Sequence, residues 1–451
     1  MIDKKTLVVG MGRSGRAAAE ALLEAGASVC VQDSKPDGGI DSEFARYLAD
    51  KNVKTYFGEK PEDVSQFDLL VLSPGVPPSV DFIEEAREGG AEIIGELELA
   101  YRLCRGSFIA ITGTNGKTTT TTLVGEIYKA AGRKTVVGGN IGRAIAAEAM
   151  GASEDTWMVT ETSSFQLETI KDFKPDISAI LNLTPDHMDR HKTMENYGRA
   201  KAAVFMNQTP EQYCVLNFDD KECFELAERE GCRARVVPFS RNCEPEFGAF
   251  AKAGNIVIKD ERGRETIICG TDELKIPGSH NLENALAAAA IAYFGGISPE
   301  VIGNTLKEFA GVEHRIELCC KKNGVRFVND SKGTNTDAAI KAIEAMKENI
   351  ILIAGGYDKG STYDEFIDAF DGRVKELILM GVTAPKIGEA AERKGFTHIT
   401  MAEDMEDCVK KAFAIAKPGD VVLLSPACAS WDMYDNFEQR GDHFKECALK
   451  L

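Results

Sequence analysis

The feature that most restricts how this chain can fold is a strand, a glycine-containing loop and a helix start in direct succession. Phe108–Thr112 is a largely apolar run typical of a buried strand, and a threonine-rich segment able to start a helix follows from Thr118. The loop between them contains two glycines and a lysine. Glycines let backbone N–H groups turn toward a phosphate, the helix N-terminus adds partial positive charge, and the lysine adds a full charge. The segment therefore predicts a nucleotide-binding α/β domain rather than an incidental turn.

We assign this loop to the phosphates of ATP. The Lys117 ammonium is expected to bind phosphate oxygens, and the Thr118 hydroxyl is expected to ligate Mg²⁺. The common form of such a loop has a glycine where this chain has Ile111, so the loop here is a shortened form. The residues assigned to ATP phosphates are Gly113, Thr114, Asn115, Gly116, Lys117, Thr118 and Thr119.

Strand and helix patterns alternate along the chain and divide into three segments. We place these at residues 1–97, 98–311 and 312–451. The outer two segments alternate short apolar strands with helices, which predicts parallel sheets, and the middle segment carries the phosphate loop. The predicted fold is therefore α/β with three domains: a Rossmann-like N-terminal domain, a P-loop-type central ATPase domain and a Rossmann-like C-terminal domain.

Composition narrows the choice of partners and compartment. The 451 residues include 53 basic and 71 acidic side chains, a formal net charge of −18. This balance argues against non-specific nucleic-acid binding and against an anionic membrane surface. No apolar stretch reaches the length of about 18 residues that spans a membrane. The twelve cysteines show no C-x-x-C spacing, so we expect mostly free thiols in a cytoplasmic, monomeric protein.

A second glycine pattern, near the N-terminus, leaves a different function open. Gly10-Met11-Gly12-Arg13-Ser14-Gly15 stands between a strand and a helix, and Asp33 ends the next strand. This is the dinucleotide fingerprint, and alone it would indicate an NAD-dependent dehydrogenase. A helix N-terminus suits the pyrophosphate of another nucleotide equally well, so the pattern by itself does not choose between them.

Further blocks follow the phosphate loop in order along the chain. They are residues 138–142, 161–167, 182–189, 280–285 and 313–315, read as Gly-Gly-Asn-Ile-Gly, Glu-Thr-Ser-Ser-Phe-Gln-Leu, Asn-Leu-Thr-Pro-Asp-His-Met-Asp, His-Asn-Leu-Glu-Asn-Ala and Glu-His-Arg. With the shortened loop Thr112–Thr119, they resemble the Mur ligase superfamily over nearly the whole chain. That superfamily includes the four amino-acid-adding enzymes of peptidoglycan synthesis and folylpolyglutamate synthase. The resemblance implies an ATP-dependent ligase that forms an acyl phosphate, which an amine then attacks.

The third segment distinguishes among the members of that superfamily. Asn329–Asn335, Ser425–Ser430 and Asn436–Gly441 look like the branch that adds D-glutamate, whereas other members typically have a tyrosine near the position of Ser331. The implied substrates are UDP-N-acetylmuramoyl-L-alanine and D-glutamate. A folylpolyglutamate synthase-like glutamate ligase is the alternative, and it would not predict the sequence Asp-Ser-Lys at residues 330–332.

The resemblance also assigns a metal site and the catalytic residues. Glu161 follows the strand at 157–160, a typical place for a metal ligand beside a phosphate loop, and we assign it to Mg²⁺ with Thr118. His187 is expected at a second Mg²⁺ ion. His187 and His191 have the i, i+4 spacing of a zinc pair, but no third ligand with suitable spacing is evident. Lys117, Glu161 and His187 are thus candidate catalytic residues.

Lys201 is the fourth candidate catalytic residue. A lysine on a helix is ordinarily a solvent-facing side chain, but the place of this one, after the block at 182–189, resembles that of the lysine that the family carbamylates. Only a neutral amine reacts with CO₂, and burial favours the neutral form. The anionic carbamate could then extend toward the metal site.

The remaining assignments concern the three substrates. For ATP, Asn281 and Asn284 fit a polar helix face toward adenine, and Arg315 with Asp330 looks like the pair that holds phosphate and ribose; Arg315 could instead form an interdomain salt bridge. The residues assigned to the UDP-sugar are Gly12, Arg13, Ser14, Asp33, Ser34, Lys35, Ser73 and Asn140. Those assigned to D-glutamate are Lys332, Thr334, Lys359, Ser430 and Phe437.

Two other interpretations carry less weight. A non-catalytic nucleotide-binding regulator would give no reason for Glu161, His187 and Lys201 to occur together, and changing Lys117 should then spare its role. Cys428, in Ser-Pro-Ala-Cys at 425–428, could be proposed as a nucleophile, but no partner base is evident and a buried small residue is the expected role.

Overall fold

The computed structural model describes residues 3–276, 278–346, 349–358 and 361–451, which contain three sheets. The chain divides into two compact units. The first consists of Met1–Leu183, Glu195–Cys269 and Ala285–Leu306, and the second consists of Thr184–Met194, Gly270–Asn284 and Lys307–Leu451. The domain boundaries at 97 and 311 stay predictions from sequence. Among the described residues no helix combines the length and the apolar character needed to cross a membrane.

The first sheet has five parallel strands in the order β3-β2-β1-β4-β5. The direction in which the chain adds strands reverses between β1 and β4, and ligands of such sheets bind at the carboxyl ends of the strands at this point. The elements are β1 (Lys5–Val9), α1 (Arg13–Glu24), β2 (Ser28–Asp33), α2 (Ser42–Asp50), β3 (Lys54–Phe57), β4 (Leu69–Leu72), α3 (Asp81–Glu88), β5 (Glu92–Gly95) and α4 (Glu96–Leu103).

The second sheet has nine strands in the order β14-β13-β12-β11-β10-β9-β6-β8-β7. Strand β6 pairs in parallel with both β8 and β9, so the loop after β6 lies between the ends of two neighbours. The elements are β6 (Ser107–Thr112), α5 (Lys117–Ala130), β7 (Lys134–Gly139), α6 (Ile145–Ala149), β8 (Thr156–Glu161), α7 (Ser164–Leu167), β9 (Ile177–Ile180), α8 (Met188–His191), α9 (Met194–Ala202), β10 (Tyr213–Asn217), α10 (Lys221–Arg229), β11 (Arg235–Ser240), β12 (Gly248–Lys252), β13 (Asn255–Lys259), β14 (Glu265–Gly270), α11 (Ser279–Phe294) and α12 (Pro299–Glu308).

The third sheet has six strands in the order β15-β16-β20-β17-β18-β19, parallel except for the antiparallel pair β15–β16. The elements are β15 (Glu317–Lys322), β16 (Val325–Asn329), α13 (Thr336–Ala345), β17 (Ile350–Ala354), α14 (Asp364–Asp368), β18 (Val374–Leu379), α15 (Ala384–Arg393), β19 (Ile399–Met401), α16 (Met405–Ile415), β20 (Val421–Leu424) and α17 (Phe437–Lys450).

Side chains alternate between two cores on opposite faces of the third sheet. Val328, Leu352 and Leu423 belong to one buried cluster, while their neighbours Phe327 and Ile351 belong to the other. Burial on both faces explains why these strands read as continuous apolar runs in the sequence. Because β16, β20 and β17 are adjacent and parallel, the loops at their carboxyl ends lie at one edge of the sheet.

Candidate functional site

The phosphate loop adopts a conformation that its glycines make possible. Gly113 has φ +146° and Gly116, which precedes α5, has φ +82°. A Cβ on Gly113 would lie 3.0 Å from Cβ of Leu181, so this position lacks room as well as a suitable backbone angle for a side chain. The Lys117 ammonium donates to the carbonyl oxygens of Gly113 and Thr114 at 2.9 and 2.6 Å.

Asn182, which follows β9, holds the middle of this loop. Its side-chain oxygen accepts from the Asn115 amide at 2.8 Å, and its side-chain nitrogen donates to the Asn115 carbonyl at 3.0 Å. Its own carbonyl accepts from the Thr114 amide at 3.1 Å. Asn182 belongs to the sequence block at 182–189, but only the structure shows that it fixes the phosphate loop.

Glu161 ends β8 and lies beside the first residues of α5. Its Oε2 accepts a 2.6 Å hydrogen bond from the Thr118 hydroxyl, and its Oε1 accepts a 2.8 Å bond from the side-chain amide of Asn140. Glu161 is 2% exposed and Thr118 is 8% exposed. The two predicted magnesium ligands are therefore adjacent. Asn140, which we assigned to the UDP-sugar, contacts the same carboxylate, a pairing that the sequence did not suggest.

Lys201 lies against the same loop. It is 1% exposed, its Nζ donates to the Gly113 carbonyl at 2.8 Å, and it stands 4.4 Å from the ring centroid of Tyr197. The Tyr197 hydroxyl lies 3.4 Å from the Thr114 hydroxyl. Lys201 is therefore not a solvent-facing helix residue. Its ammonium and that of Lys117 donate to the same backbone carbonyl, that of Gly113.

The N-terminal glycine pattern forms a tight turn between β1 and α1. A Cβ on Gly15 would lie 1.7 Å from the carbonyl oxygen of Gly10, which leaves room only for hydrogen. Gly10 itself has φ +87°. The exposed residues Gly12 and Arg13 follow, with Arg13 as the first residue of α1. Backbone amides at this helix N-terminus suit a phosphate or pyrophosphate group.

Asp33 joins this turn to the loop after β2. Its Oδ2 accepts from the Met11 amide at 2.7 Å, and its Oδ1 accepts from the Lys35 amide at 2.9 Å. Ser34 and Lys35 are exposed at the end of β2, and half-buried Ser73 follows β4 across the switch point. The residues assigned to the UDP-sugar in this domain thus surround one edge of the first sheet, and Asp33 orients two of its loops.

In the second unit, Arg315 and Asp330, which we assigned together to ATP, form an ion pair. Arg315 Nη1 lies 3.6 Å from Asp330 Oδ1, and Asp330 Oδ2 accepts a 2.7 Å bond from the Ser425 hydroxyl. Asp330 is completely buried, and burial raises its pKa to about 6. Arg315, rather than Asp330, lines a cavity of about 480 Å³. We therefore propose that Asp330 acts by orienting the Arg315 side chain.

The backbone around Arg315 is unusual. His314 and Ile316 on either side have φ +61° and +49°, a region that β-branched residues rarely occupy. His314 is buried, its Nδ1 lies 2.9 Å from the Asn329 side-chain nitrogen, and its amide donates to Glu317 at 2.8 Å. These bonds hold a turn that costs conformational energy, and such turns occur mainly where side-chain direction matters.

Asn281 lines the same cavity as Arg315. Its side-chain oxygen accepts a 3.1 Å bond from the side-chain amide of Asn284, and both residues are at least nine-tenths buried. His280, their neighbour, has its pKa lowered to about 3 by burial, with Arg315 and Lys341 acting in the same direction. A cavity lined by the side-chain amide of Asn281 and the guanidinium of Arg315 can bind a purine nucleotide.

The residues assigned to D-glutamate lie around the carboxyl ends of β16 and β20. Lys332 Nζ is 4.8 Å from the ring centroid of Phe437, the first residue of α17. Thr334 is half-buried on the loop after β16, and Ser430 is 2% exposed on the loop after β20. Lys359 lies outside the described residues, and its assignment stays a prediction.

His187 belongs to the second unit, in the short segment 184–194. It has φ +55°, and its Nε2 lies 3.7 Å from Oδ2 of Asp186. Asp186 Oδ2 also accepts a hydrogen bond from the Asn335 side-chain amide at 3.2 Å. His191 is buried. The role of His187 at a metal ion stays a prediction.

The cysteines agree with the expectation from composition. All twelve are free thiols. Cys428 is 2% exposed and its sulfur lies 3.2 Å from the Tyr363 hydroxyl, and burial raises the pKa of the thiol. A buried thiol with a raised pKa is a poor nucleophile, which favours the structural role over the nucleophile.

Sequence comparison agrees with this geometry along the whole chain. The MurD-like N-terminal domain of Mur ligases matches residues 4–95, the Mur ligase middle domain matches 111–292, and the glutamate ligase domain of Mur ligases matches 314–428. A UDP-N-acetylmuramoylalanine–D-glutamate ligase from Alkaliphilus oremlandii is 52% identical over 453 residues, which cover 100% of this chain and 99% of that protein. A ligase of the same name from Clostridioides difficile is 48% identical over 445 residues, 98% of each chain.

Solved structures show the same fold at much lower identity. UDP-N-acetylmuramate-alanine ligase from Thermotoga maritima has a TM-score of 0.61 at 19% identity and covers 99% of each chain. FolC from E. coli has a TM-score of 0.58 at 16% identity, over 78% of this chain and 92% of that one. The chain belongs to the Mur ligase family. It is an ATP-dependent ligase with an α/β fold of three domains, as the sequence predicted, and this membership removes the dehydrogenase alternative.

Proposed function

We propose that this enzyme adds D-glutamate to UDP-N-acetylmuramoyl-L-alanine at the expense of ATP, a step in the synthesis of peptidoglycan precursors. The observation that carries the ligase chemistry is the contact of Glu161 with Thr118 beside the phosphate loop. D-glutamate as the amine substrate follows from the full-length relatives, whose names state that reaction. We propose further that the enzyme acts as a monomer in the cytoplasm.

The oxygen donors at the ends of β6 and β8 suit Mg²⁺. This ion prefers oxygen ligands and keeps several waters, so one carboxylate and one hydroxyl are a sufficient protein contribution. Glu161 Oε2 and Thr118 Oγ1, 2.6 Å apart, would hold it. When bound there, Mg²⁺ supplies charge neutralisation for the transferred phosphate. We propose two ions, with His187 as a ligand of the second.

The chain's own residues bind and orient ATP. Lys117, which donates to two carbonyls of its own loop, would turn these donors to phosphate oxygens, and the amides at the start of α5 would add to the positive field. Asn281, Asn284 and Arg315 would hold the nucleoside end. The carboxylate of the L-alanine residue takes the γ-phosphoryl group, and ADP leaves.

The second half-reaction joins the amine to this acyl phosphate. The neutral amine of D-glutamate attacks the acyl carbon, an amide bond forms, and inorganic phosphate leaves. A dicarboxylate substrate needs fixed cations and hydroxyl donors, which Lys332, Thr334 and Ser430 provide, with Lys359 as a further cation from the sequence. Phe437 would fix the direction of the Lys332 stem.

The nucleotide-sugar would bind at the edge of the first sheet. Arg13 and Ser14, at the start of α1, and Lys35, after β2, supply donors for the two phosphates. Asn140 would bind the sugar. Because its side-chain amide also donates to Glu161, it would connect the nucleotide-sugar to the metal-binding carboxylate.

The test is phosphate release by the intact chain in the presence of ATP, Mg²⁺, UDP-N-acetylmuramoyl-L-alanine and either D- or L-glutamate. We expect release that requires the nucleotide-sugar and D-glutamate together. Release that instead requires a folate substrate would replace the proposal by the folylpolyglutamate synthase-like alternative. Equal rates with both enantiomers would contradict the assignment of D-glutamate.

A further inference from the structure

Three loops carry the residues proposed to bind the amino acid, and a single arginine on α17 lies beneath them. The loops follow β16, β20 and β17, which are adjacent in the third sheet. Arg440, in the first turns of α17, is 1% exposed, so its guanidinium is enclosed by protein. Arg440 belongs to the sequence block Asn436–Gly441, but neither that block nor the proposed reaction gives this residue a role.

The guanidinium joins the first two of these loops. Its Nε donates to the hydroxyl of Ser331 at 3.0 Å, and its Nη2 donates to the carbonyl of the same residue at 2.8 Å. Its Nη1 donates to the carbonyls of Cys428 and Ala429 at 3.1 and 3.2 Å. Ser331 immediately precedes Lys332, and Ala429 immediately precedes Ser430. The arginine therefore fixes the backbone next to two substrate-binding residues.

The third loop packs on the same guanidinium. A Cβ on Gly356 would lie 3.2 Å from Nη1 of Arg440 and 2.3 Å from the Ala429 carbonyl oxygen, so this glycine permits the close approach. Tyr357 and Ala429 exchange two backbone hydrogen bonds, of 2.9 and 3.2 Å. The loop that leads to the predicted Lys359 is thus held against the loop of Ser430.

Ser331 extends this network to the start of α17. Its hydroxyl, which accepts from Arg440, donates to the carbonyl of Phe437 at 2.8 Å. Phe437 in turn lies under the Lys332 ammonium. One guanidinium and one hydroxyl therefore connect all the described residues proposed to contact D-glutamate except Thr334.

The acceptors of Arg440 are carbonyls and one hydroxyl, and no carboxylate forms an ion pair with it among the residues that the structure describes. If the arginine were removed, the carbonyls of Ser331 and Cys428 and the Ser331 hydroxyl would lose this donor, and buried acceptors without donors are costly. The Ala429 carbonyl would keep the Tyr357 amide as its donor. The planar guanidinium of Arg440 donates to four acceptors on two loops at once, and a lysine ammonium has too few donors to do so.

We propose that Arg440 is a positioning residue for the amino-acid substrate, fixing the spacing of Lys332, Ser430 and the loop of Gly356 without touching the substrate. This inference rests on the proposed D-glutamate site. A dicarboxylate is recognised at both ends, so its affinity depends on the distance between its cationic and hydroxyl contacts. ATP and the nucleotide-sugar bind through other residues and should not sense that distance.

The test compares Arg440→Met, Arg440→Lys and Ser331→Ala with the wild-type enzyme, with KM measured separately for D-glutamate, ATP and the nucleotide-sugar. We expect Arg440→Met to raise the KM for D-glutamate by about 10-fold or more and to change the other two KM values by less than about 2-fold. Arg440→Lys should raise it less, because it keeps some donors. Ser331→Ala, a milder change, should raise it by about 3-fold.

The matched control is Phe444→Leu on the same helix. Phe444 is completely buried in the core on one face of the third sheet and belongs to none of the three loops. The Phe444→Leu variant should have a lower thermal midpoint than the wild-type enzyme, without a selective change in the KM for D-glutamate. A uniform rise of all three KM values in the soluble Arg440 variants, or an unchanged KM for D-glutamate in both Arg440→Lys and Ser331→Ala, would overturn the proposal. If Arg440→Met does not fold, those two variants decide.

Failure of the proposed function has a different signature. In that case the wild-type enzyme itself shows no phosphate release that depends on D-glutamate. If the wild-type enzyme is active with D-glutamate and the variants keep the wild-type KM, only the inference about Arg440 fails.

Discussion

The hydroxyl of Thr118 donates a 2.6 Å hydrogen bond to Oε2 of Glu161, although 43 positions separate the two residues in the chain. The contact exists because β6 and β8 are parallel neighbours and their carboxyl ends meet at one edge of the sheet. It places a hydroxyl and a carboxylate beside the loop that we propose binds the phosphates of ATP.

Glu161→Gln keeps the size and an acceptor oxygen for Thr118 but removes the negative charge that we propose holds Mg²⁺. We expect kcat to fall by about 100-fold or more, because charge neutralisation at the phosphate is lost, and the activity that remains to require a higher Mg²⁺ concentration. Phosphate release measured across a Mg²⁺ titration checks this. The control is Glu154→Gln at an exposed site, and a wild-type Mg²⁺ dependence in Glu161→Gln would count against the assignment.

Lys117→Met removes the ammonium that lies on the phosphate loop. We expect kcat/KM for ATP to fall by about 100-fold or more, since the phosphates then lose the fixed cation that adds to the backbone dipoles and to Mg²⁺. Steady-state kinetics with varied ATP measure the change. Lys129→Met, on an exposed part of the same helix, serves as the control, since it removes an equal charge away from the loop. Equal kinetics for the two variants would remove Lys117 from the site.

Lys201→Ala tests carbamylation. The side chain is buried against the Gly113 carbonyl, so its loss leaves both a cavity and a missing charge. If the working form is an anionic carbamate, short-chain carboxylic acids should restore part of the activity, because their carboxylates can occupy the same space. Phosphate release is measured with and without added acetate. Lys117→Met should show no rescue, and a Lys201→Ala enzyme that no short acid restores would argue against the carbamate.

Glu96 should make stability depend on pH. This residue is 1% exposed, its Oε1 accepts from the Ala146 amide at 2.6 Å, and its Oε2 has no hydrogen-bond partner among the described residues. Burial raises the pKa of the carboxyl from 4.5 to about 7, against the opposing effects of the Ala146 amide and Arg13. The folded protein therefore holds this proton more tightly than the unfolded chain does.

The tighter binding of this proton stabilises the folded protein at low pH. The stabilisation is complete below pH 4.5 and is lost as the pH rises through about 7, by on the order of 3 kcal/mol. Glu96→Gln, a neutral isostere, should lose this dependence, so its thermal midpoint should rise relative to wild type between pH 5 and pH 8. Thermal unfolding of both proteins over that range measures it, with exposed Glu84→Gln as the control. Parallel pH curves for Glu96→Gln and wild type would show that Glu96 does not titrate there.

Local patterns allowed much of the fold to be predicted. The strands that begin near Thr6, Phe108 and Ile350 were recognisable because buried parallel strands are continuous apolar runs. The proximity of Thr118 and Glu161 could be expected from the resemblance, since each follows a strand. The sequence also predicted that the loop at 113–116 joins a strand to a helix, because its glycines determine the backbone locally.

The contacts that organise the site could not be read from the sequence. Arg440 and Ser331 meet across 109 positions, and Asn182 reaches the phosphate loop across 67. Such pairs depend on the order of strands in a sheet, which periodicity does not encode. The left-handed backbone at Ile316 was equally hidden, because a β-branched residue argues against that conformation and only its surroundings enforce it.

The 1.7 Å gap between a Cβ on Gly15 and the Gly10 carbonyl oxygen has a consequence for how this domain can evolve. Arg13 and Ser14 beside it are exposed or half-buried, so replacing them would change the contacts that we propose with the nucleotide-sugar while the turn survives. Replacing Gly15 would push the helix away from the strand and destroy the turn itself. Saturation mutagenesis of this segment should therefore tolerate many residues at the two ligand-facing positions and none but glycine at the third. Substitutions can therefore alter the ligand specificity of this domain far more easily than they can alter the turn between β1 and α1.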